Sequence, residues 1–120
     1  MADRATIARP YARAAFAHAR ERTDLPGWSK LLGTAAAVAS DARVARLIGN
    51  PHVTGDELVE LLTGIAGAAG GAEGRSFLRA MAQNRRLALL PEIVAQFETL
   101  RAEVENVVDV EIVAAREIAA

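Results

Sequence analysis

The chain has 120 residues, 52% of them apolar and only 4% aromatic, enough for one globular unit whose core is built mainly from Ala, Leu, Val and Ile. A formal net charge of -1, with 13 Arg among the 14 basic residues, gives no overall pull toward nucleic acid or anionic membranes. The absence of Cys excludes disulfides, thiolate nucleophiles and Cys-based zinc sites. No apolar run follows the charged residues 1–9, and no stretch approaches the ~20 apolar residues of a membrane span, so a soluble, unexported protein is expected.

Thr6 can cap a first helix that carries Ile7, Tyr11, Ala14, Ala15, Phe16 and Ala19 to about Arg22, with Pro10 near its first turn. Thr23 and Asp24 break it. A second helix starts near Pro26 and repeats Trp28, Leu31, Leu32, Ala35, Val38 and Ala39 at helical spacing until Ser40 and Asp41 interrupt. A short third helix over 42–48 turns Val44, Leu47 and Ile48 inward and stops at Gly49, Asn50 and Pro51. Thr54 and Glu57 have capping-box spacing, which starts a fourth helix with Leu58, Leu61, Leu62, Ile65 and Ala69 on its buried stripe.

Residues 67–74 hold four glycines and no large apolar side chain, and read as the most flexible connector. A fifth helix over 75–84 offers Phe77, Leu78 and Met81 to the core. After a turn at 85–90, Pro91 suits the first position of a sixth helix with Ile93, Val94, Phe97, Leu100 and Val104 on one stripe. From Val107 the rhythm becomes two-residue: Val108, Val110 and Ile112 alternate with Asp109 and Glu111, as in a half-buried strand. The expected fold is therefore an all-α six-helix bundle over residues 1–106, followed at 107–120 by a strand-like segment that opens a second, missing unit.

Chemistry-bearing patterns are sparse. His18 and His52 have no second ligand at metal-binding spacing, and the glycines at 67–74 lack the Lys-Ser/Thr ending of a phosphate loop. No Ser sits in a nucleophile elbow, so neither catalysis nor a cofactor is expected. Arg9, Arg13 and Arg20 share one face of the first helix, with Arg85 and Arg86 in a later turn. Acidic residues balance them in the total and no aromatic platform accompanies them, so they read as a solvated face.

The first helix has an odd property. At ~100° per residue, Ile7, Tyr11, Ala14 and His18 occupy one side and Ala8, Ala12, Ala15, Phe16 and Ala19 the adjoining side, together roughly 200° of arc. That is about twice what docking on one core requires. On the fifth helix, Ser76, Ala80 and Gln83 form a face of small or polar residues distinct from Phe77 and Met81. If the two faces adjoin, they make a shallow groove for an amphipathic partner helix. Periodicity alone leaves open whether this is a groove or simply the surface that Ala-rich packing leaves outside.

The stretch Thr6-Ile-Ala-Arg-Pro-Tyr-Ala-Arg-Ala-Ala-Phe16 resembles the opening of δ subunits of bacterial ATP synthases and of the mitochondrial oligomycin-sensitivity-conferring protein. Trp28, the run Leu47-Ile-Gly-Asn-Pro51, the long run from Phe77 to Ile93, Phe97-Glu-Thr-Leu-Arg-Ala-Glu103 and the alternating 108–113 extend the resemblance over essentially the whole chain. It implies a six-helix N-terminal domain whose first and fifth helices receive the N-terminal helix of one α subunit at the crown of the catalytic head. Carried over by position, Tyr11, Ala14, Ser76 and Ala80 line that groove, to which the helical wheel adds Ile7, His18 and Gln83.

The implied role is that of a non-catalytic stator subunit, peripheral on the cytoplasmic face of a bacterial inner membrane. It would bind the head at one end and, through the missing C-terminal part, the b subunits of the peripheral stalk, with no nucleic acid and no membrane insertion. Without the resemblance, the same faces read as a generic helical adaptor for an amphipathic partner helix.

Overall fold

Four of the helices begin where an Asp or Thr side chain accepts a hydrogen bond from a backbone N–H of the first turn, relieving the orphan donors there. In the computed structural model, which describes residues 3–119 and the side chains of residues 3–106, these are α1 (Arg4–Glu21), α2 (Leu25–Ala39), α3 (Ala42–Gly49) and α4 (Gly55–Ala66). Their caps are Asp3 to Thr6 N at 2.8 Å, Asp24 to Gly27 N at 3.1 Å, Asp41 to Arg43 N at 2.9 Å and Thr54 to Glu57 N at 3.1 Å. The first differs from expectation: Asp3 takes the cap position and Thr6 falls inside α1. Pro10 also lies within the helix, where its missing N–H costs one intrahelical bond on an exposed face.

The remaining helices are α5 (Gly71–Gln83) and α6 (Leu90–Ala119), joined by a single 3-10 turn, Leu87–Leu89. An all-helical bundle of six helices is what the described residues form. The expected strand at Val108–Ile112 is not present: the backbone there continues α6. A lone strand has no neighbour to satisfy its N–H and C=O groups, whereas a helix closes those bonds within the segment.

The core gathers where α1 and α2 both lean on α6, and α4 bridges α2 and α5. Trp28, Leu31, Leu32, Val59, Leu62, Leu78, Met81, Leu87, Leu90, Ile93 and Phe97 are fully enclosed. α1 contributes only alanines to it: Ala8, Ala12, Ala15 and Ala19 are all completely buried. Phe16, half-buried, meets Phe97 edge-on with ring centroids 5.8 Å apart.

Three expectations change here. The connector shrinks to Gly67–Gly70, because α5 starts at Gly71 and Gly74 is buried inside it. Leu31 fills the space that side chains at Gly70 and Gly74 would need; a Cβ on Gly70 would sit 2.6 Å from Leu31 Cδ2. Two of these glycines therefore serve helix packing. On α3, Val44 and Ile48 are half-buried and Leu47 stays 40% exposed. On α4, Val59 and Ala66 join Leu58 and Leu62 in the core, leaving Leu61 half-buried and Ile65 55% exposed, because the apolar stripe is wider than the neighbouring helices cover.

α1 and α5 end alike. Thr23 (φ 53°) and Arg85 (φ 57°) adopt the left-handed conformation that lets Asp24 N reach Ala19 O at 2.8 Å and Arg86 N reach Met81 O at 2.8 Å. A β-branched residue is costly there, so Thr23→Gly is expected to raise stability by roughly 1 kcal/mol in urea denaturation. Phe97→Ala is expected to cost about 3–5 kcal/mol in the same measurement. Ile65→Ala should shift it by no more than about 0.5 kcal/mol. Comparable losses at Phe97 and Ile65 would contradict the packing described.

Candidate partner-binding groove

α1 divides into sectors around its axis. At about 100° per residue, the buried alanines are flanked on one side by Ile7, Tyr11, Ala14 and His18. Asn84, the residue that caps α5, reaches α1 from the other side: its Nδ2 donates to the Tyr11 hydroxyl at 3.4 Å. Ile7 and Tyr11 are half-buried against the core, while Ala14 and His18 are exposed. From α5, Ser76 and Ala80 are exposed and Phe77 is half-buried. No described segment of the chain covers Ala14, His18, Ser76 or Ala80.

Gln83 sits apart. It lines a hollow of about 430 Å³ with Asn50, Pro51, Gly55 and Arg85, on the side of α5 that faces the α3–α4 connection. Asn84, one residue on, is the one that approaches Tyr11. Its spacing of four from Ala80 places it on the same helical face, a signal the sequence carries.

Aromatic rings pack beside these residues. His18 stacks on Trp28 with centroids 5.9 Å apart and planes 9° from parallel, and Trp28 meets Phe77 edge-on at 5.6 Å. Trp28 is buried and rigid, so it ties α1, α2 and α5 together beneath an exposed imidazole. Sequence reading assigned Trp28 to the core but had no means of placing His18 over it.

Next to these rings, Arg22 Nε donates to Glu73 Oε1 at 2.7 Å, joining the end of α1 to the first turn of α5. That hydrogen bond holds the Glu73 carboxyl below its ordinary value against the opposing effect of desolvation, and the charges of Arg22 and His18 act in the same direction. Glu73 Oε2 has no partner. Among the described residues, no three His, Asp or Glu side chains converge to hold a metal, and no helix is long and apolar enough to cross a membrane.

Because the folded-state value is lowered, the Arg22–Glu73 contribution is complete above the ordinary carboxylate range and is lost as pH falls through the depressed value. Arg22→Gln is expected to move the Glu73 titration upward in carboxyl-carbon NMR. An unchanged titration would mean that Arg22 does not set it.

Compared with known proteins, residues 7–120 match the family described as ATP synthase delta (OSCP) subunit. The chain is 44% identical over 119 residues to the ATP synthase subunit delta of Alkalilimnicola ehrlichii, covering 98% of this chain and 66% of that protein. It is 40% identical to that of Nitrosococcus oceani, covering 99% and 67% of the two chains, and 43% identical to that of Nitrosospira multiformis, covering 96% and 65%. The chain thus spans about two thirds of the length of these relatives. A helical bundle of this sequence, matched from Ile7 onward at this identity, belongs to the ATP synthase delta (OSCP) subunit family.

Proposed function

We propose that this chain is the head-binding part of a peripheral-stalk subunit, a non-catalytic stator that receives the N-terminal helix of one α subunit between α1 and α5. The observation that carries this reading is that α1 and α5, linked near their ends by Asn84–Tyr11 and Arg22–Glu73, leave Ala14, His18, Ser76 and Ala80 exposed and Tyr11 and Phe77 half-buried. Small rims let a partner backbone come close, and a partly buried aromatic floor offers its apolar face a site. Tyr11, already oriented by Asn84, loses little side-chain freedom on docking.

The role is mechanical. The central rotor exerts torque on the catalytic head, and without a hold the head would turn with it. In this reading residues 1–106 grip the head, and 107–120 lead toward the part of the longer relatives that meets the b subunits. The assembly lies on the cytoplasmic face of a bacterial inner membrane.

Titration with a peptide copying the α N-terminus, followed by Trp28 fluorescence beneath His18, tests the reading. Tyr11→Ala is expected to cost ~2 kcal/mol of binding, about a thirtyfold loss, as a central aromatic anchor does. Ala14→Asp should weaken binding comparably while leaving the helical circular dichroism intact, since Ala14 is exposed. Affinity unchanged in both variants would rule out this groove.

A further inference from the structure

The other flank of α1 carries a feature that the groove does not use. On the helical wheel Arg9, Arg13 and Arg20 fall within about 40° of one another, nearly opposite Tyr11 and His18. Arg9 and Arg13 border the seam between α1 and α6. Arg9 and Arg13 line a hollow of about 340 Å³ together with Ala95, Gln96, Thr99 and Leu100. Further along, the Arg20 guanidinium lies 5.8 Å from the Phe16 ring, and Arg20 borders a second hollow with Thr23, Leu25 and Pro26.

These three arginines are not spent on holding the fold. Among the described side chains, Arg4, Arg22, Arg43, Arg75, Arg79 and Arg101 each pair with a carboxylate; Arg9, Arg13, Arg20, Arg46, Arg85 and Arg86 do not, and of these only Arg9, Arg13 and Arg20 share one face of one helix. The carboxylates nearby are committed elsewhere. Asp3, whose charge is felt from Arg9, caps α1; Glu92 is held by Arg4; Glu98 accepts the Ser29 hydroxyl. Like charges at Arg9 and Arg13, four residues apart on one helix face, repel each other.

We infer that the Arg9, Arg13 and Arg20 stripe, running along α1 from the α6 seam to the α1–α2 connection, is a second docking surface, which takes an acidic amphipathic segment of a partner protein. Charge complementarity selects this occupant. Guanidinium forks bind carboxylates bidentately, and the Ala95 and Leu100 floor accepts an apolar side chain between them. From Arg9 to Arg20 the stripe runs roughly 16 Å along α1, so a helix of about three turns with carboxylates at the same spacing matches it. Nucleic acid fits poorly: the net charge is -1, and Phe16, the aromatic on the stripe, is half-buried against Phe97 with Arg20 beside it. The inference is independent of the α1–α5 groove, because the two surfaces lie on opposite sides of α1.

The test uses the full chain and a designed helical peptide with glutamates at i, i+4 and i+11 and leucines between them, against the same peptide with glutamines. Binding of the glutamate peptide is expected, with affinity falling as salt rises and about tenfold weaker for the glutamine version. The exposed substitutions Arg9→Gln and Arg13→Gln together should cause a similar loss, with circular dichroism unchanged, while Tyr11→Ala leaves this affinity intact. Equal binding of the two peptides, or full affinity in the double variant, overturns the proposal. So does Arg9- and Arg13-dependent sedimentation with phosphatidylglycerol vesicles without peptide binding, which would assign the stripe to a membrane surface.

Discussion

The structure rests on the close approach of α1 to the α2–α6 pair. Four alanines, Ala8, Ala12, Ala15 and Ala19, occupy the contact stripe and are completely buried. Each adds little apolar area of its own. Their value is steric: with a methyl group at every contact, the α1 backbone comes close enough for Ile93 and Phe97 of α6 and Trp28 of α2 to be sealed from water. Leu at any of these positions would push α1 outward and open the aromatic cluster below it.

Once that stripe is seated, the rotation of α1 is no longer free, and both exposed flanks follow from it. One flank carries Tyr11, Ala14 and His18, with Tyr11 reached by Asn84 and His18 stacked on Trp28; the other carries Arg9 and Arg13 beside α6 and Arg20 beside the start of α2. The α5 side is locked in turn by Leu31 of α2, which occupies the space beside Gly70 and Gly74 and brings α5 near α2. Asn84 and the Arg22–Glu73 pair then hold the two ends of the α1–α5 contact. An exposed ion pair of this kind contributes little to stability, so its use is to set register. The polar contacts decide where the helices end relative to one another, and the alanines and glycines decide how near they come.

Much of this was legible in the chain. Asp24 and Thr54 mark helix starts because a short polar side chain beside an apolar repeat has a specific orphan N–H to satisfy, whereas Asp41, which the sequence shows only as an interruption of the second helix, proves to cap α3. The helical repeats at Trp28, Leu31, Leu32 and Ala35 and at Ile93 and Phe97 identify core positions, and all of these are enclosed. The double-sided character of α1 was visible as an apolar arc too wide for one contact. The motifs shared with the δ subunits identify the family without reference to any contact.

Other features depended on neighbours and could not be read locally. The alternation at Val108–Ile112 suits a strand only if another strand lies beside it, and without one the backbone closes its own bonds as α6. The glycines at 70 and 74 look like flexibility in sequence and act as clearance for Leu31, a residue some forty positions away. Ile65 matches the α4 repeat but remains outside, because the rotation of α4 against α2 and α5 decides which part of a broad stripe is covered. Local spacing and residue type are enough to reveal six helices with their apolar faces, apart from the first turn of α5, and the family to which the chain belongs. That Asn84 meets Tyr11, that His18 lies on Trp28 and that no described carboxylate pairs with Arg9, Arg13 or Arg20 emerges on folding alone, because each is a relation between segments distant in the chain.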